Sequence, residues 1–310
     1  MAISRREKLA ANGMLLTAAL LWGSSYAVRK MAVPYAEPLF FNGLRYFIGF
    51  LAVFTAYLIH SFARKGGRTE GAPLGSAAYR SVGWQIAGGL LIGVVFSMGT
   101  NLQQIGLVTS DAGKCGFITA LYIIIIPMIS RLVLKKQIAV KIWIGAAVAL
   151  PGLFFVSVGD SFDIVTGDAL FLVAAFFFAA QTILVGHYVI RANALLLSSM
   201  SLLSNSALSL ALSLLFESRI RSANLVMALG PAIYTGLFTV GAAAVLQFTA
   251  QKKATPSVAA IIMSFESVFG AVFAAILLNE HMTLPQIAGC VLIFFAIIIS
   301  QLEYGRTIKR

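Results

Sequence analysis

In this chain of 310 residues, 59% are apolar and only 11% are charged, and the mean hydropathy is +0.91. A water-soluble domain carries about 25% charged residues and about 45–50% apolar ones, which excludes a soluble enzyme or a cytosolic binding module. The formal charge of +12 would suggest nucleic acid in a soluble protein, but here the basic residues sort by loop, as in membrane proteins, so no nucleic-acid partner is expected.

Nearly uncharged stretches of about 20 residues, long enough to cross a hydrocarbon core of about 30 Å, recur along the chain. They predict ten helical spans, at 11–31, 38–60, 82–108, 113–134, 139–159, 166–190, 194–216, 224–250, 256–278 and 284–302. The first follows Arg5, Arg6 and Lys8, yet it is longer than the ~7–15-residue apolar core of a cleaved signal and reads as a span. The second begins at Pro38 and carries Arg45 seven residues later. A polar break at Ser61–Ser81, rich in Gly, Arg and Ser, separates it from the third span, which brings Asn101, Gln103 and Gln104 within one turn. The fourth opens with Asp111 and Lys114 and includes Tyr122 and Pro127; Pro151 interrupts the fifth. The sixth carries Phe178, Gln181 and His187, the eighth Gln247 and the ninth Glu266. Cys115 and Cys290 lie inside spans without metal-like spacing and read as small buried apolar residues.

With the N-terminus in the cytoplasm, alternating spans place 17 of the 23 basic residues inside. Arg29, Lys30, Lys114, Arg219 and Arg221 fall outside, and Arg45 falls within the membrane. Both termini are therefore expected in the cytoplasm.

The chain also repeats itself. Leu102–Gly159 overlays Leu246–Glu303 without a gap at an offset of 144 residues, matching Gln103 with Gln247, Leu134 with Leu278 and Gly145 with Gly289. A looser copy aligns Ala18–Gly23 with Ala174–Ala179, setting Trp22 against Phe178. Five spans per repeat is an odd number, so the second half enters the membrane upside down. The expected fold is an all-α integral membrane protein of ten transmembrane helices in two inverted five-helix repeats, residues 1–160 and 161–310. Such duplication is the mark of a solute carrier with its site near the midplane between the halves.

Ala18-Ala19-Leu20-Leu21-Trp22-Gly23-Ser24-Ser25, the run Gln104–Leu107 with Thr109–Thr119, and Ser264–Phe269 with Leu277–Glu280 resemble the drug/metabolite transporter superfamily, specifically its EamA-like ten-helix members. The resemblance spans almost the whole chain. It departs at Ser267, where the family usually has Pro, at Asn279, where it usually has Gly, and at Phe178 in place of the second half's Trp. It implies a carrier of amino acids, other small metabolites or drugs, mostly outward across the bacterial inner membrane. It also implies a cavity lined by helices one, three, four, six, eight and nine.

Ionisable groups within a membrane are costly and are functional candidates by default. Glu266 lies ten residues past Pro256, ~15 Å along a helix at 1.5 Å per residue. There it could bind an amino group, carry a proton, or tie its helix to a neighbour. Arg45 could hold a carboxylate, pair with Glu266, or snorkel to the outer headgroups. Lys114 could form a salt bridge with Asp111 or attract a carboxylate beside a helix N-terminus. The amides could orient a zwitterion or join helices at about 0.6 kcal/mol per contact. The expected substrate-binding residues are Trp22, Asn101, Gln104, Tyr122, Gln181, Gln247 and Glu266, with Arg45 and Lys114 as secondary candidates.

No Walker A motif, HExxH pair, nucleophile–base constellation or metal-ligand cluster occurs in the sequence, so neither enzymatic activity nor a cofactor or metal is expected. A membrane receptor or embedded enzyme is the rival class, and it would need a sensory domain or catalytic cluster. The expected partners are a small-molecule substrate, the lipid bilayer and, for a coupled carrier, protons, with the chain working as a monomer or a homodimer.

Overall fold

The computed structural model describes residues 4–66, 80–110, 112–157, 165–217, 225–278 and 283–301. Among them every regular element is helical: α1 (Arg5–Ala32), α2 (Pro38–Gly66), α3 (Val82–Thr109), α4 (Ala112–Ala120), α5 (Tyr122–Leu132), α6 (Val140–Ser157), α7 (Thr166–Tyr188), α8 (Ala194–Phe216), α9 (Leu225–Tyr234), α10 (Ala243–Ala250), α11 (Pro256–Met263), α12 (Phe265–Leu278) and α13 (Leu284–Gln301). Ten crossings result. α4 and α5 form one crossing broken only at Leu121, α11 and α12 another broken only at Ser264, and a π-helical segment at Thr235–Ala242 joins α9 to α10. Seven helical stretches are long and apolar enough to span a membrane, and α6 and α13 contribute shorter apolar ones. The tenth, α1, is more polar, opening with Arg5, Arg6, Glu7 and Lys8 and closing with Arg29 and Lys30.

The helix starts are written locally. At α1, Ser4 and Glu7 form a reciprocal capping box, with Glu7 N–H donating to Ser4 Oγ at 3.2 Å and Ser4 N–H to Glu7 Oε2 at 2.9 Å. Asn193 caps α8, and Thr255 caps α11 directly ahead of Pro256 at the first helical position. The start of α2 is capped from a distance. The Glu217 carboxylate, just past α8, accepts from Leu39 N–H at 2.6 Å and Phe40 N–H at 2.9 Å. Free helix-end donors cannot be left dry in a bilayer.

The two halves are related by a visible pseudo-twofold. α6 and α13 are matching helices, and they pack so closely that a Cβ on Gly152 would stand 2.9 Å from the Gly289 carbonyl oxygen, and one on Gly289 2.5 Å from that of Gly152. A Cβ on Gly145 would stand 3.1 Å from the Ala296 carbonyl oxygen. The 144-residue offset converts the Gly145–Ala296 contact into Gly289–Gly152, so one contact is the symmetry mate of the other. As numbering rises along α6 it falls along α13, so the matching helices run antiparallel and the repeats are inverted. Small residues at such a crossing are how membrane helices gain packing contact where lipid supplies no hydrophobic drive.

α2 packs along α8, α3 along α7 and α8, and α1 against α10 and α12. The largest apolar cluster joins the halves through Leu15, Ile123, Ile126, Leu153, Ile261 and Ile293. The boundary expected at 160/161 lies outside the described residues, as do Asp111, Asp160, Asp163, Asn279, Glu280 and most of the Ser61–Ser81 break.

Candidate functional site

A cavity lies between the halves. Helical spacing explains its wall. Trp22, Ser25, Tyr26 and Arg29 recur at three- and four-residue steps and share one face of α1. Phe96, Thr100 and Gln103 do the same on α3, and Phe178, Gln181 and Thr182 on α7. Arg45 and Tyr46 come from α2, Tyr122 from α5, Thr239 and Val240 from the π-helical segment, Gln247 from α10, Met263 from α11 and Glu266 from α12.

Close backbone approach sets Glu266 in place. A Cβ on Gly23 would stand 2.6 Å from the Glu266 carbonyl oxygen and 2.8 Å from Gly270 N, so only glycine lets α1 meet α12 there. Glu266 is 6% exposed, and the Tyr26 hydroxyl, one turn beyond Gly23, faces its carboxyl. One residue on, Ser267 Oγ donates to the Gly116 carbonyl at 3.1 Å, binding α12 to α4. Proline, the residue usual there in the resembled family, has no donor with which to make that bond.

Trp22 is anchored by its indole N–H, which donates to the Thr239 carbonyl at 2.8 Å. That carbonyl belongs to the π-helical segment, the kind of helix irregularity often found at functional sites. Phe178, at the matching position of the other half, has no such donor and packs edge-on against Phe96 with ring centroids 5.8 Å apart. Across the cavity, the Gln181 and Gln247 amides face each other reciprocally at 3.5 Å. This is a loose contact at the limit of hydrogen bonding, so both keep capacity for a third group.

Two guanidinium groups complete the wall, each 3% exposed. Arg29 donates from Nε to Gln104 Oε1 at 2.8 Å and from Nη1 to Gln103 Oε1 at 2.7 Å. Arg45 donates from Nε and Nη2 to Asn42 Oδ1 at 2.9 and 2.8 Å and lies 4.7 Å from the Tyr46 ring centroid. Among the described residues neither has a carboxylate within salt-bridge distance; the Lys253–Glu7 pair lies at the exposed surface. Arg29 Nη2 and the Tyr122 hydroxyl are buried without a hydrogen-bond partner.

Of the residues expected to line a site, the structure gathers Trp22, Tyr122, Gln181, Gln247 and Glu266 around this cavity, together with Arg45. Asn101 and Gln104 stand behind the wall and hold the arginines. Gln104 grips Arg29 directly. Asn101 accepts from Asn42 Nδ2 at 2.6 Å and from Ser209 Oγ at 2.9 Å, inside a polar knot joining α2, α3 and α8, and Asn42 in turn holds Arg45. The Lys114 side chain lies outside the described residues. Arg45 points inward and does not snorkel, and α2 contributes to the wall in addition to the six helices the resemblance implied.

Arg29 itself was expected outside, at the end of the first span. α1 instead continues to Ala32 and keeps Arg29 buried, while Lys30 donates to the Leu107 and Ser110 carbonyls at 2.8 Å each. The signal that would have found Arg29 is its position seven residues after Trp22 and three after Tyr26 on one helical face. Thr100, Thr182 and Tyr46 were missed as well.

The model of the EamA-like transporter family matches residues 9–158 and again residues 165–302. An uncharacterized transporter of Archaeoglobus fulgidus is 30% identical over 298 residues, covering 96% of this chain and 87% of the relative. The uncharacterized transporter YoaV of Bacillus subtilis is 24% identical over 296 residues, covering 94% and 97%. A solved crystal structure superposes with a TM-score of 0.72 over 94% of this chain and 96% of the other, at 16% identity, a likeness of fold alone.

Proposed function

Because the chain belongs to the EamA-like transporter family, we propose that it is a secondary transporter of small metabolites in the bacterial inner membrane that exports amino acids or related compounds. The cavity between the inverted halves holds the substrate, and the halves rearrange about it to open one side and then the other. Trp22, Tyr122, Gln181, Gln247 and Glu266 contact the substrate, and Asn101 and Gln104 support that wall from behind. Both termini lie in the cytoplasm, as the placement of 17 of 23 basic residues favours.

The observation that carries this reading is the buried Glu266 carboxyl in a central cavity that both halves wall. A membrane-buried acid without a salt-bridge partner among the described residues suits a group that is satisfied in turn by substrate or proton. The loosely paired Gln181 and Gln247 amides can donate and accept to a zwitterion without holding it too tightly. Two guanidiniums in the same wall weigh against an organic-cation exporter, because a cation entering would meet like charge.

Flux in proteoliposomes tests the proposal, with amino acids, nucleobases and organic cations competing, with and without a pH gradient. Saturable amino-acid flux that falls at least tenfold in a folded Glu266→Gln variant is expected. Undiminished flux in that variant would remove Glu266 from the mechanism. Flux indifferent to the gradient would make the protein a facilitator.

A further inference from the structure

We infer that Arg29 and Arg45 form a carboxylate-binding subsite that selects a cargo of net charge −1, an inference that rests on reading this cavity as the transport site. The charge count of the wall points there. A guanidinium stays protonated in proteins, so the two arginines leave the cavity one formal positive charge in excess when Glu266 is ionised and two when it is protonated. Uncompensated charge in a low-dielectric interior is expensive. A zwitterion leaves that excess in place, a cation adds to it, and a monoanion lowers it by one, cancelling it when Glu266 is ionised.

The hydrogen bonding identifies where the anion sits. Neutral amide oxygens from Gln103 and Gln104 orient the Arg29 guanidinium and occupy Nε and Nη1, but they supply no charge. Nη2 remains buried, without a hydrogen-bond partner, on a side chain that faces the cavity and is 3% exposed. Arg45 is oriented in the same manner by Asn42, again through a neutral oxygen. A structural arginine in a membrane protein is normally neutralised by a carboxylate or turned to the headgroups. Both of these are instead fixed by amides and left to meet charge from the cavity. Arginine pairs with carboxylates and phosphates alike, and of the two the carboxylate carries a single charge where a phosphate monoester carries about −1.5 to −2. Trp22, Tyr26, Tyr46, Phe96, Tyr122 and Phe178 give the rest of the wall an aromatic character, which suits an organic body beyond the acid group.

Two kinds of solute share this chemistry: a dicarboxylic amino acid, whose amine meets Glu266, and an amine-free monocarboxylate. The test measures both binding and flux. Purified protein is titrated by thermal shift with glutamate, phenylpyruvate, phenylalanine and tetraphenylphosphonium, and the same four compete for flux in proteoliposomes. At least one of the two anions is expected to bind more tightly than phenylalanine, and its apparent Kd to rise about tenfold or more in Arg29→Gln, the scale of one charge-assisted hydrogen bond. Arg29→Lys keeps the charge without the fork, so it should fold even if Arg29→Gln does not and should bind the anion with intermediate affinity. Glutamate alone binding assigns the amine to Glu266; phenylpyruvate binding equally well assigns the selectivity to the arginines alone. If neither anion binds, or anion affinity is unchanged in both Arg29 variants, the subsite is overturned. Preferred phenylalanine flux with unchanged Arg29 variants would overturn it while leaving the transport reading intact. Arg29-dependent binding without flux would do the reverse.

Discussion

Tyr122 and Glu266 are equivalent residues of the two repeats, 144 positions apart, and both stand in the wall of the central cavity. Each sits at the start of the second part of a broken crossing, just past Leu121 in one half and Ser264 in the other. At both breaks the backbone tightens into a three-residue bond, Ile124 N–H to Leu121 O at 3.0 Å and Ser267 N–H to Ser264 O at 3.2 Å. The duplication thus supplied two matching positions facing one cavity, and sequence divergence made one a carboxyl and the other a phenol.

The Tyr122 hydroxyl has no hydrogen-bond partner although it is buried. Leaving such a group unsatisfied costs about 1–3 kcal/mol. Tyr122→Phe is therefore expected to keep or raise the melting temperature while weakening substrate affinity up to about tenfold, since the hydroxyl is free to bond the cargo. A melting temperature that falls would mean the hydroxyl is structural and not reserved for substrate.

Gln104 orients Arg29 with a neutral oxygen. Gln104→Glu would place a carboxylate at that point and neutralise the guanidinium from within. The variant should remain folded at undiminished melting temperature, yet its affinity for net-anionic solutes should drop about tenfold, while its affinity for zwitterionic phenylalanine changes less. A purely structural role for Gln104 would move all solutes together, and that comparison separates the two.

Much of this was legible in the residues and some was not, for reasons that differ. Crossing a bilayer requires length and apolarity, so the ten helices could be read from the apolar runs, though α1 starts at Arg5 and α2 runs on to Gly66, beyond the expected 11–31 and 38–60. The inverted relationship followed from the odd span count and the 144-residue offset, and that same offset already paired Tyr122 with Glu266. Arg29 was hidden because charge at the end of an apolar run reads as interfacial, whereas here two amides from α3 make its burial possible. The roles of Asn101 and Gln104 depend on which neighbour occupies the space between helix and cavity, which periodicity along one helix does not encode. The π-helical segment under Trp22 left no compositional trace, since Thr235–Ala242 reads as ordinary apolar helix.

Gly23 holds α1 against α12 at the level of Glu266. Gly23→Ala puts a methyl carbon into the Glu266 carbonyl and the Phe269 side chain, each 2.6 Å away, and neither obstacle is the far end of a flexible chain. Overpacking of this kind costs about 1–3 kcal/mol, and the displaced α12 carries Glu266 with it. Lowered thermal stability and lowered flux are both expected. Gly13→Ala, on the same helix with open space around it, should leave flux unchanged and hold or slightly raise stability, because alanine is the better helix former; an equal loss in both variants would detach the effect from the crossing.

A pH-dependent flux would need to be traced to a group, and the exposed Glu7–Lys253 pair can be separated by its titration. Lys253 donates to Glu7 Oε1 at 2.8 Å, linking the start of α1 to the turn after α10. That bond first, and the Ser4 backbone N–H next, hold the Glu7 carboxyl down from 4.5 to about 2. A carboxyl depressed in the folded state contributes its stability above its ordinary range and loses it as pH falls through the folded value. The contribution is therefore constant from pH 5 to 8 and disappears only between about 4.5 and 2. Because both partners are exposed, its size is small and is screened by salt. Glu7→Gln should leave the shape of the flux-versus-pH curve between 5 and 8 unchanged. If the curve changes shape in that variant, this surface pair takes part in the transport cycle. If it is unchanged there but flattened in Glu266→Gln, the proton acts at the cavity carboxyl.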